Sequence, residues 1–107
     1  MNADREPFPP ETLGVAIAAF LGWKVDRRPG SHADAVMRLA PEGHEQSLLS
    51  AVKEAIARSD AVRLSDEVWA GTEYGNRLKA ALHAQQPDLT DEAVGALASR
   101  LAYLQFN

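Results

Sequence analysis

Apolar positions recur along this chain mostly at steps of three and four residues, the spacing that gathers side chains on one face of an α-helix. Leu13, Ala16, Ile17, Phe20 and Trp23 form the first run. Pro9 and Pro10 stand ahead of it, where a helix start tolerates the missing N–H and benefits from the fixed φ. The Pro-Gly of "DRRPGS" interrupts the pattern. Ser31 is then placed to cap a short second helix, with Asp34 as its weaker capping-box partner. Ala33, Val36, Met37 and Ala40 keep the helical period until Pro41 stops it. An alternative stays open here: "WKVDRR" and "DAVMRL" are short enough to pair as a minor β-hairpin near residues 23–39.

After the connector "PEGHEQ" comes a clear amphipathic division. Leu48, Leu49, Val52, Ala55 and Ile56 share one face, and Ser47, Ser50, Lys53, Glu54 and Ala57 share the other. Ser65 is an N-cap candidate for the next helix, with Asp66 and Glu67 complementing the dipole in its first turn. That helix carries a seam at Val68, Gly71, Gly75, Leu78 and Leu82, in heptad rhythm. Two glycines on the seam predict close approach of a neighbouring helix. The alternative is that "AGTEYG" breaks the helix and Thr72 caps it anew.

Pro87 ends that element, and Thr90 is expected to cap the last helix, with Asp91 and Glu92 in its first turn and Leu89 stapled to Val94. The buried stripe is read as Val94, Leu97, Ala98, Leu101 and Leu104, facing away from Glu92, Ala96, Ser99 and Tyr103. Tyr103 therefore falls on the wrong side of a continuous helix. The reading adopted is that the helix ends near Ala102, so that Tyr103 and Phe106 turn inward and tie the terminus down. A helix that continues would instead point Tyr103 toward a partner.

The pattern predicts helices near 11–22, 45–58, 66–85 and 91–103. Together they make a mainly α fold, a small bundle of four to five helices. Residues 10–107 are expected to form one helical domain, and residues 1–9 a flexible N-terminal segment. Nineteen alanines reinforce the helical reading. The apolar stretch Leu13 to Trp23 is too short to span a membrane. The start "MNADREPFPP" lacks the basic residue followed by an apolar run that marks a secretory signal, and there are no cysteines. A cytoplasmic location is the resulting expectation.

Charge narrows the range of partners. The net charge is −4, with five acids against three bases over residues 31–60 and three against one over residues 87–107. The only basic cluster is Lys24, Arg27 and Arg28, a thin footprint for a nucleic-acid binder. The sequence is also poor in recognisable chemistry. Absence of cysteine removes thiolate metal ligands and thiol nucleophiles. His32, His44 and His83 show no i, i+4 pairing, and neither a Gly-x-Ser-x-Gly elbow nor a Walker pattern occurs. The acid pairs Asp66-Glu67 and Asp91-Glu92 open helices, where the dipole alone accounts for them. No metal, no cofactor and no enzymatic activity are therefore expected.

Aromatic placement points to binding. At about 100° per residue, Asp66, Trp69, Glu73, Asn76 and Arg77 lie opposite the seam of the fourth predicted helix. A tryptophan among acids, an amide and an arginine has the composition of an interface hot spot, although a helix buried on two sides would hide the same residue in the core. The reading is a small acidic protein-binding module, in its concrete form a stoichiometric inhibitor of the immunity-protein or antitoxin type, directed at a basic partner such as a nuclease. Asp66, Trp69, Glu73, Asn76 and Tyr103 are its candidate partner-binding residues. The alternatives are a small enzyme or ligand-binding domain using His44 or His83 with nearby acids, and a helical nucleic-acid binder using Lys24, Arg27 and Arg28.

Overall fold

The computed structural model describes residues 8–25, 29–62 and 71–106. Over these the chain forms α1 (Pro10–Leu21), α2 (Ala33–Leu39), α3 (Glu45–Ser59), α4 (Gly71–Gln85) and α5 (Asp91–Phe106). No strand occurs among the described residues, and α2 occupies the segment for which a hairpin was the alternative. Among the described residues no helix is long and apolar enough to cross a membrane.

The first helix begins as its prolines suggest, with Pro9 as N-cap and Pro10 as the first helical residue. Phe8, just ahead, is buried and meets the His44 ring edge-on, with centroids 6.3 Å apart. Packing therefore starts two residues before the boundary expected at residue 10. The helix ends at Gly22 rather than at the Pro-Gly turn. Gly22 takes the left-handed conformation, φ 68°, and accepts no Cβ penalty for it. Its N–H donates to the Ala19 carbonyl, and the Trp23 N–H donates to the Ala18 carbonyl at 3.0 Å. This pair of bonds satisfies carbonyls that a helix end leaves open. Trp23 thus sits in the turn after α1 rather than on the helix.

The start of α2 corrects the capping assignment. His32, not Ser31, is the N-cap, and no side chain caps this end. The cause lies in the preceding chain. The Gly30 and His32 N–H groups donate to the Leu21 and Phe20 carbonyls, so the backbone stays tied to the end of α1 through residue 32. Asp34 instead pairs with Arg38 one turn later. In α3 the amphipathic division holds: Leu48, Leu49, Val52 and Ala55 are buried, Ile56 packs against them, and Ser47, Ser50, Lys53, Glu54 and Ala57 are exposed.

The α5 helix lies at the centre, packed against α1, α4 and α3. Ala93, Val94, Gly95, Ala96, Leu97 and Ala98 are all buried. This overturns the assignment of Ala96 to an outward face. A helix covered by several neighbours buries more than one stripe. Thr90 caps it as expected, its hydroxyl accepting from the Ala93 N–H at 3.2 Å. Ile17, Leu48, Leu82, Leu97, Val36 and Val52 are among the core side chains sealed from solvent. Each contributes on the order of 1.5–3 kcal/mol relative to exposure.

The close helix contact is between α1 and α5. A Cβ placed on Gly14 would collide with the Thr90 hydroxyl, and one on Gly95 would lie 2.8 Å from the Trp23 ring. Gly14 thus meets the start of α5 and Trp23 its middle, so the two helices advance in the same general direction. The Trp23 indole N–H donates to the Ser99 hydroxyl at 3.1 Å. The Lys24 ammonium lies 4.6 Å from the centroid of the Trp23 ring, on a backbone held at φ 70°.

Candidate functional site

The candidate surface comprises the first turns of α4 and the last turns of α5. Connection 86–90 is short, and it returns the chain along α4 so that Leu78 and Leu82 of α4 share the core with Val94 and Leu97 of α5. Two neighbours joined this way run antiparallel. The beginning of α4 and the end of α5 therefore share one end of the domain, and Glu73, Asn76, Tyr103 and Leu104 are distributed there.

Of the predicted site residues, Asp66 and Trp69 lie outside the described residues, as do the proposed cap Ser65 and the seam residue Val68. Glu73 belongs to the first turn of α4, and its side chain is likewise outside the description. Asn76 is exposed, and Tyr103 is half-buried. Arg77, beside Asn76, is exposed. The helix is continuous from Gly71 through Gly75; the residues before Gly71, where the alternative break at "AGTEYG" would part it from an earlier helix, lie outside the described residues.

Two expectations about this end are corrected. First, α5 does not stop near Ala102 but continues as helix to Phe106, so the terminus does not fold back. Leu104, assigned to the buried stripe, is 55% exposed, because it lies beyond the fully buried run that ends at Ala98. Second, the close approach predicted at Gly75 is not found among the described residues: none of them lies within 4 Å of where its Cβ would stand. Leu78 and Leu82 hold the α4 seam in the core without it.

Polar bonds tie α4 and α5 to the end of α3. Arg100 pairs with Asp60, fastening α5 to the C-terminal end of α3. The Gln85 amide donates to the Arg58 carbonyl at 2.6 Å, and the buried Gln86 amide donates to the Ala55 carbonyl at 3.3 Å. Buried Ser59 donates its hydroxyl proton to the Ile56 carbonyl at 2.7 Å. These bonds occupy carbonyls in the last turns of α3, where partners within the helix run out. Nothing in local spacing announces them, since the partners are up to forty residues apart.

The histidines divide among structural positions. His32 and His44 stand at the N-caps of α2 and α3. His83 in the last turn of α4 meets the Asp91 carboxylate in the first turn of α5 at 3.2 Å. Both members face water, at 41% and 101% exposure. Among the described residues no group of three or more histidines and acids is placed to hold a metal ion. Arg27 and Arg28 of the basic cluster lie outside the described residues, and Lys24 is engaged over Trp23. Comparison with protein-family models, curated proteins and solved structures finds no match to this chain.

Proposed function

We propose that this domain is a protein-binding module whose partner docks on the end formed by the start of α4 and the end of α5. The observation that carries the proposal is the continuation of α5 to Phe106, which leaves Leu104 on the surface beside Tyr103 instead of tucked beneath the fold. An exposed leucine next to a half-buried tyrosine offers an apolar anchor, and the exposed Asn76 offers a polar contact at the same end. The net charge of −4 favours a basic partner by steering the encounter. In its concrete form, the domain acts in the cytoplasm as a stoichiometric inhibitor of the immunity-protein or antitoxin type, with Asp66, Trp69 and Glu73 extending the contact. Its role is binding rather than catalysis. The reading of His83 as a catalytic group draws on the His83–Asp91 pair alone, and water reaches both members freely.

Affinity capture from the native host, followed by titration of the captured protein, tests the proposal. Wild type and the α3 control Ser50→Asp should retain the same basic protein in one-to-one amount. Leu104→Asp should weaken it at least about tenfold, equivalent to roughly 1.4 kcal/mol. Reversing Asp66 and Glu73 should mainly slow association and reduce its salt sensitivity. Trp69→Ala is melted before it is titrated, which separates a folding defect from a lost contact. Unchanged affinity across the Leu104, Asp66 and Glu73 variants would overturn the proposal, as would the lack of any stoichiometric partner.

A further inference from the structure

We draw no further inference here: the strongest candidate, the corner where the last turn of α4 meets the first turn of α5 with the His83–Asp91 pair beside the exposed Asp88 and Glu92, is an acidic cluster at a helix N-terminus with no second observation pointing to a ligand.

Discussion

Gly14 and Gly95 lie where α1 and α5 approach closely, each with a side chain pressed against its backbone, whereas Gly75 lies on α4 with no described residue within 4 Å of where its Cβ would be. All three are helical and none has a positive φ. The difference is therefore not conformational. It lies in what stands opposite: the Thr90 hydroxyl at Gly14, the Trp23 ring at Gly95 and, among the described residues, no atom within 4 Å at Gly75. Helical spacing assigns a glycine to a face, but the function of that glycine depends on a partner supplied from far along the chain. At the α1–α5 crossing the missing Cβ is a packing requirement. On α4 it only lowers helix propensity, by roughly 1 kcal/mol relative to alanine.

The largest expected effect comes from removing the ring that covers Gly95. Trp23→Ala deletes the contact and the hydrogen bond to Ser99 together. It should cost about 3 kcal/mol, the low end for a packed aromatic because Trp23 is only half-buried. Urea unfolding reads this directly, and a loss below about 1 kcal/mol would mean that the Trp23 contact with Gly95 and Ser99 lies on the surface without holding α1 to α5. A smaller effect is expected at the other contact. Thr90→Ala removes the α5 cap and should lower stability by about 1 kcal/mol. In that background Gly14→Ala should be better tolerated than in wild type, because the hydroxyl it would strike is gone. Strictly additive losses in this double-mutant cycle would mean that Gly14 and Thr90 do not touch.

The smallest effect concerns α2, which has no side-chain cap at its start. There the hydrogen bond from Arg38 is the main cause holding the Asp34 carboxyl below the usual carboxylate range, assisted by its own backbone N–H. A depressed folded pKa stabilises the fold above the unfolded value, about 3.9 for aspartate. That contribution is lost as pH falls through the lower folded value. The Asp34→Asn protein should accordingly lose less stability than wild type between pH 6 and pH 3, by a margin small enough to require parallel thermal melts. Identical pH profiles would mean that the Asp34–Arg38 pair does not bear on folding.

Much of the architecture was legible because local chemistry agreed with the final packing. Thr90 caps α5, Pro9 and Pro10 open α1, and the α3 faces divide as their polarity dictates. Legibility failed where a residue's environment is supplied by a distant segment. Ala96 looked outward on α5 yet is buried, and Ser99, exposed as its position suggested, also receives the Trp23 indole N–H from 76 residues away. Leu104 looked inward by period alone, but the period does not say where the neighbouring helices stop covering it. Ser31 had the better capping chemistry, and hydrogen bonds from Gly30 and His32 to the end of α1 moved the helix start past it. At the proposed docking end, spacing had pointed outward at Asn76 and Tyr103 but not at Leu104, since an apolar residue in register with a core stripe carries no mark of exposure.

The α1 and α5 helices require glycine where they meet, whereas α4 does not require it at Gly75. Side-by-side urea unfolding of Gly95→Ala and Gly75→Ala tests this most directly, because the gain in helix propensity is common to both and cancels in the comparison. Gly75→Ala should raise the midpoint, by roughly 0.5–1 kcal/mol of added stability. Gly95→Ala should fall below wild type, because its Cβ must displace the Trp23 ring. An equal rise in both proteins would mean that the Trp23 ring does not press on Gly95 and that the α1–α5 crossing tolerates a Cβ there.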